Sequence, residues 1–465
     1  MNTDIKGKSY NRTLLMGIFL AGSFIGLLSE TFLNNALVTI MDSFQISQSL
    51  AQWLSTGFLL VVGLMIPISS WVFNNFNTRM NYVGMLTIFF IGSLVSALAM
   101  NFPMLLIGRL IQAIAAGSMM PFVQNIMLVM FPPEKRGMAL GLTGLVVGLG
   151  PAVGPSLAGI ILQHYSWHML FIIPAVASIF VIGLALVFAR DLINTRKTKL
   201  DWLSFLESVV GFGAILYVLS KVGEQGKITI SSIILVVIGA LMLYLFVKRQ
   251  KNISNPLVNI EIFKNGNFNL NTVLSTLSNI ALVGIELILP LYLQNVTKVS
   301  ALETGIVMLP GAIAMGICNV VAGGLYDKIG VRKVSLIGFF ILVSGTIPML
   351  FFNAHTNTIL IAIVYAYRLT GVAFIMMNAF TDGINGLPSE LSADGNAASS
   401  TLRQVGGSVG TALSMLIVTL IVGNNTIEKT SITALSSGYH FAFIFMLVIA
   451  VVGFGLSLKL RNNSK

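Results

Sequence analysis

The chain has 465 residues, of which 55% are hydrophobic and only 9% charged, with a mean hydropathy of +0.89 and a formal net charge of +11. So few charges exclude a soluble globular protein, in which about a quarter of residues are charged, and the apolar content excludes intrinsic disorder. The lone Cys318 excludes a disulfide framework, His164, His168, His355 and His440 fall at no metal-ligand spacing, and the basic residues form short scattered clusters, which argues against nucleic acid.

What remains is an integral membrane protein. A bilayer-crossing helix takes about 20 apolar residues. The apolar runs predict spans near 13–41, 51–73, 81–101, 103–131, 137–162 and 168–189. Two more follow near 203–221 and 228–247, then six near 268–294, 303–326, 332–352, 357–386, 394–423 and 434–459. The expected fold is all-α, with about fourteen transmembrane helices. They divide into an N-terminal six-helix bundle (1–190), two inserted helices with a linker (191–264) and a C-terminal six-helix bundle (265–465). The first run is too long for a signal peptide and lacks a small-residue cleavage site, so it reads as a span. With both termini cytoplasmic, 20 of the 27 Lys and Arg residues lie in cytoplasmic segments and 4 (Lys221, Lys227, Lys298 and Lys429) outside, leaving Arg109, Arg368 and Arg403 in spans. That asymmetry favours the orientation and the even count. The longest polar stretch, 248–267, carries Leu257, Val258, Ile260, Ile262 and Phe263 in a pattern expected to lie on the inner membrane surface. No loop can hold a soluble domain and no GxxxxGK[ST] phosphate loop occurs, which argues against an enzyme and against an ATP-driven pump.

Two loops repeat. Gly323-Gly324-Leu325-Tyr326-Asp327-Lys328-Ile329-Gly330-Val331-Arg332-Lys333 follows span ten, and Ser70-Trp71-Val72-Phe73-Asn74-Asn75-Phe76-Asn77-Thr78-Arg79 follows span two. Asn74 aligns with Asp327, Asn77 with Gly330 and Arg79 with Arg332, so each loop follows the second span of its half. Duplicated halves of this kind are a transporter signature.

The intact loop resembles the G-x-L-x-D-[RK]-x-G-x-[RK]-[RK] signature of the major facilitator superfamily. Gly148-Leu149-Gly150-Pro151-Ala152-Val153-Gly154-Pro155 in span five is similar to that superfamily's antiporter motif, and Arg109-Leu110-Ile111-Gln112 to its R-x-x-Q-G motif, with Ala113 for the glycine. Phe131 to Gly137, Ser166-Trp167-His168 and Gly395 through Ser408 resemble the fourteen-span drug:proton antiporter branch, as does the placing of the two extra helices. The resemblance implies a monomeric multidrug efflux pump of the bacterial cytoplasmic membrane, of two pseudo-symmetric bundles, driven by the proton gradient without a metal or other cofactor. It implies that Asp327, with Lys328, Gly330 and Arg332, governs gating, and that Arg109 serves proton coupling. Three departures stand out. Asn74 and Asn77 replace an acid and a glycine. Ser29 stands where the branch has an aspartate, with the acid one place on at Glu30, about 100° around the helix. His168 replaces an arginine.

The residues carry readings of their own. Gly150, Pro151, Gly154 and Pro155 form either a packing kink or a bend that resists leakage. Arg109 within span four is costly unless paired or wet; it either snorkels or tunes a carboxyl. A carboxylate in low dielectric tends to take up a proton, so Glu30 in span one can alternate between neutral and charged states, or stay protonated on Asn34. Glu286 in span nine is its counterpart, and both are expected to face one cavity. Asn34, Tyr365, Met376, Met377 and Asn378 are candidate lining residues, since Met and Tyr suit a loose site for greasy ligands; ordinary packing is the alternative. Glu207 in the first inserted helix is expected to have a local partner, and Asp382 and Arg403 near the inner mouth, with Arg368 deeper in its span or toward the outer end, to form gating or stabilising ion pairs. The function read from all this is proton-coupled export of lipophilic, often cationic drugs, with Na⁺ in place of H⁺ left open. A transporter of a defined metabolite and a non-transporting receptor or scaffold are the alternatives; paired buried acids argue against both an anion carrier and a static scaffold.

Overall fold

The computed structural model describes residues 3–33, 36–195, 197–424 and 432–461. In chain order the helices are α1 (Arg12–Phe32), the short α2 (Leu37–Phe44) and α3 (Gln48–Ala51), α4 (Trp53–Asn75), α5 (Thr78–Ala97), α6 (Phe102–Met130), α7 (Arg136–His164) and α8 (Met169–Phe188). Then come α9 (Trp202–Gln225), α10 (Ile230–Gln250), α11 (Gly266–Asn295), α12 (Ala301–Ile329), α13 (Val331–Thr346), α14 (Thr358–Asn385), α15 (Ser392–Asn424) and α16 (Ile432–Ser457). Among the described residues thirteen spans are long and apolar enough to cross a membrane, one of them α13 with its 3₁₀ extension to Phe351. The remaining long helix is α7, of 29 residues.

Helix starts are written locally, because orphan backbone N–H groups need acceptors. Asn11, Asn101, Asp201, Thr229 and Asn265 each accept the N–H three residues on, and Asn357 the N–H two residues on. Ser300 and Glu303 close a reciprocal capping box at α12. The expected first span, 13–41, is shorter in the structure. It stops at Phe32 and resumes as α2. Thr31 Oγ1 donates back to the carbonyls of Leu27 and Leu28, a pattern that bends helices. The run at 332–352 tightens to 3₁₀ at Ile347–Phe351, where Pro348 lacks an amide proton. The 248–267 stretch is only a 3₁₀ turn, Ile260–Lys264. It is pinned by Gln250 Oε1, which accepts the N–H groups of Leu257 and Val258, and by Ile262, which is fully buried.

The duplication is visible in the packing. α5 crosses α6 at Gly92 and Gly108, where a Cβ on either would come within 3 Å of the other's carbonyl oxygen. The third and fourth spans of the second half, α13 and α14, cross the same way at Gly338 and Gly371. Small residues permit such contacts, which take the place of a hydrophobic driving force in lipid. The halves meet along α7 against α12 and α14, and along α15 against α4 and α6. α10 packs on α9, and α9 lies against α4 and α15. On α7, Gly137, Gly141, Gly144 and Gly148 face α12, whereas Gly150 and Gly154 face Leu27 and Thr31 of α1. The antiporter-like glycines thus sit within the first half, at α1–α7; the side chains of Pro151 and Pro155 lie outside the described residues.

Candidate functional site

Glu30 lies two residues from the end of α1, and Glu286 two-thirds along α11. Both line a central cavity of about 270 Å³. A second lobe of about 290 Å³ shares Glu30 and Glu286 with the first. The first lobe is walled by Met119, Met120, Met376 and Met377, with Arg403 and Gln124 among its polar groups. Neither carboxylate forms an ion pair with a described residue, unlike Asp201 with Arg249 and Glu261 with Lys264.

Behind each carboxylate stands a fully buried arginine from the fourth span of the same half. Arg109 of α6 donates to the Ser29 carbonyl at 3.2 Å and to Gln112 Oε1 at 3.0 Å, and stacks over the Phe58 ring at 4.1 Å. Its Nε and Nη2 are buried without an acceptor, and Glu30 is in electrostatic reach. It is held in the interior rather than snorkelling. Arg368 of α14 donates to Thr346 Oγ1 at 3.0 Å and to the Ala281 carbonyl at 2.9 Å, with Nη1 lacking an acceptor and Glu286 in reach. The sequence reading expected Arg368 in an ion pair and missed its equivalence to Arg109; it is held instead by Thr346 and the Ala281 carbonyl. The signal was an Arg-Leu pair in each fourth span followed by Met119-Met120 or Met376-Met377.

Of the expected lining residues, Met376 and Met377 face the cavity. Tyr365 is buried against Gly311, near Arg368, and Asn378 donates to the Phe374 carbonyl of its own helix; neither is among the lining residues. Asn34 lies outside the described residues. Arg403 lines the cavity, donates to Ser400 and stacks over Phe380 at 4.6 Å. Asp382 instead accepts from Asn267, Asn271 and Tyr326. Among the described residues neither forms an ion pair: amides and a phenol satisfy Asp382, and Ser400 and the Phe380 ring hold Arg403. Glu207 lines neither lobe and lies in electrostatic reach of Arg249.

The end of the bundle that carries both described termini is tied across the halves. Asp327 accepts the N–H groups of Gly137 and Met138 at 3.0 Å, capping α7. Arg136 donates to Asn385, and Asn396 of α15 to the Pro121 carbonyl and Asn125 of α6. Lys328 and Arg332 are solvent-exposed. Gly330 takes φ of +80°, so one residue joins α12 to α13. The first-half loop turns through Phe76 and Asn77, and Asn77 has an ordinary φ of −59°, so no glycine is needed. The acid missing at Asn74 appears on the opposite side of the seam. Ser70 donates to Asp394 at 2.5 Å in the first turn of α15, and Asn74 donates to Ser70 at 3.5 Å.

Two helical bundles related by duplication, closing on a central acidic cavity and tied together at one end, define a membrane transporter. The chain belongs to the Major Facilitator Superfamily, which it matches over residues 19–411. It is 41% identical over 465 residues to the uncharacterized MFS-type transporter YcnB of Bacillus subtilis (strain 168), covering 100% of this chain and 98% of that protein. It is 34% identical over 456 residues to the lincomycin resistance protein LmrB of Listeria innocua, covering 96% of each. A multidrug resistance protein B homolog of Mycobacterium tuberculosis (strain CDC 1551 / Oshkosh) is 26% identical over 421 residues, covering 89% of this chain and 78% of that one. Among solved structures, the human organic anion transporter MFSD10 (TETRAN) superposes with a TM-score of 0.68 at 12% identity, covering 97% of this chain and 100% of that one. That likeness concerns the fold.

Proposed function

We propose that this protein exports lipophilic, often cationic drugs across the cytoplasmic membrane in exchange for protons. The observation that carries the reading is the pair Glu30 and Glu286, one from each half, lining a single cavity with no cationic side chain in ion-pair contact. A carboxylate so placed binds a cation when charged and releases it when protonated, which is the requirement for exchange. Four methionines give the lobe an adaptable apolar wall. Arg109 and Arg368 serve as fixed buried charges against which each carboxylate titrates. The names of LmrB and of the multidrug resistance homolog agree with a drug as cargo. The excess of Lys and Arg on the face carrying the termini supports its being cytoplasmic. On this reading Asp327 and Asp394 hold the cytoplasmic mouth shut, and transport proceeds by rocking of the halves in a monomer.

Arg403 in the same cavity favours one refinement, a cargo with an acidic or strongly hydrogen-bonding group beside its cationic centre. The test is purified protein in lipid vesicles with an imposed pH gradient and a fluorescent cationic dye. Dye movement that collapses with a protonophore and is lost in Glu30→Gln supports the proposal. Movement that ignores the gradient refutes the coupling, and gradient-driven movement of anions alone refutes the cargo.

A further inference from the structure

We infer that α9, one of the two inserted helices, is a wall of the substrate site and sets the length of the uncharged part of the cargo, an inference that rests on the export reading above. The second lobe leads away from Glu30 and Glu286 between α4 of the first half and α15 of the second. Neither half closes it. Its far side is Leu216 and Ser220 of α9.

The docking of α9 is fitted to both halves. Leu216 fills the notch over Gly63 of α4, where a Cβ would come within 2.5 Å of Leu216 Cδ1. Trp53 of α4 stacks on Tyr217 with ring centroids 6.0 Å apart. Val218 and Val222 are buried with Ala412 of α15. The lobe so closed alternates apolar and hydroxyl groups, Leu59, Leu60 and Leu216 with Thr56, Ser220 and Thr411. Each lobe alone falls just below the range for small-molecule sites, about 300–1,000 Å³, so a cargo of ordinary size needs both. An amphipathic monocation fits this layout, with its head between the carboxylates and its tail in the second lobe against Leu216.

The experiment uses full-length protein in vesicles with an inward pH gradient and alkyltriphenylphosphonium cations bearing methyl, butyl or decyl chains. Leu216→Trp should lower the decyl-to-methyl export ratio at least tenfold, and Leu216→Ala should raise it. A second readout needs no transport. In a Cys318→Ser background, maleimide labelling of Ser220→Cys should slow at least fivefold with the decyl cation and be unchanged by the methyl one. Export by the parent with equal effects of Leu216→Trp on all three cations, and no protection at position 220, overturns the inference and leaves the export reading standing. Protection at position 220 in a parent that exports none of the cations supports the binding lobe and refutes export.

Discussion

The exchange of an acid across the seam makes a quantitative prediction about gating. Asn74→Asp restores the acid of the intact loop while Asp394 is still present. The two carboxylates would then share Ser70 and lie within about 6 Å of each other, the two hydrogen bonds laid end to end. At that distance and an effective dielectric of about 20 the repulsion is about 3 kcal/mol. Both positions are partly exposed, so screening brings this to about 1–2 kcal/mol, roughly a five- to thirtyfold change in the balance between closed and open cytoplasmic mouths. Asn74→Asp should open the mouth by that factor, and Asn74→Asp with Asp394→Asn should recover most of the closure, because the repulsion is removed and the amide at position 394 can donate across the seam to Ser70 Oγ or to the carboxylate at position 74. The assay is the distance distribution between spin labels at Met80→Cys and Glu390→Cys, both exposed on that face, in a Cys318→Ser background. An unchanged distribution in Asn74→Asp, or a double variant no better than the single, would refute the reasoning.

The remaining predictions are briefer. Glu30→Gln should keep expression near normal and abolish gradient-driven export of cations; transport at the parent rate would remove Glu30 from the coupling. Glu286→Gln should alter the pH profile of export and reduce a divalent dye more than a monovalent one, whereas identical profiles for both dyes would mean a single functional carboxyl. Asp327→Asn replaces one of two acceptors with a donor facing the amide protons of Gly137 and Met138, a loss of about 2–3 kcal/mol; turnover should change while the range of drugs exported does not. Asp201 caps α9 and pairs with Arg249 of α10, whose guanidinium holds its carboxyl well below the usual range. Because the folded-state value is depressed, this support is fully present above the ordinary carboxylate range and is lost as pH falls below it. Asparagine still caps α9 but cannot pair with Arg249, so Asp201→Asn should lower the thermal stability of the purified protein slightly at pH 7, and the difference from the parent should shrink below about pH 4.

How much of the fold was legible follows from what lipid demands. Every spanning backbone must satisfy its own hydrogen bonds, so apolar length alone locates helices, and the run boundaries agree with the structure within a few residues at most ends. The failures came where a polar group competes with the helix. Thr31 bonds back to its own turn and the first run breaks there, although its hydropathy continues. The linker near 257–262 reads as an amphipathic surface segment, yet Ile262 is buried inside the protein; periodicity cannot distinguish lipid surface from protein surface.

The site was legible in proportion to how strongly each residue violates its surroundings. Glu30, Glu286 and Arg109 are charges in apolar runs, and a single sequence exposes them. Arg368 carries the same violation but lacks the surrounding motif, so its equivalence to Arg109 emerged only when both were seen behind a carboxylate. Arg403 sits in a polar stretch that reads as a loop mouth, and only the packing of α15 turns it into the cavity. Asp394 shows the deeper reason. Motif comparison tests each segment against its own pattern, so an acid lost at Asn74 registers as decay. The physical requirement at the seam is one carboxylate that accepts hydrogen bonds across it, and either face can supply that group. In the second half the acid is on α12 and the donors on α7; in the first the donor is Ser70 on α4 and the acid Asp394 on α15. A duplicated protein can therefore keep a contact while exchanging its partners. Reading the two sides of such a seam together, as donor and acceptor, recovers an interaction that neither sequence motif contains.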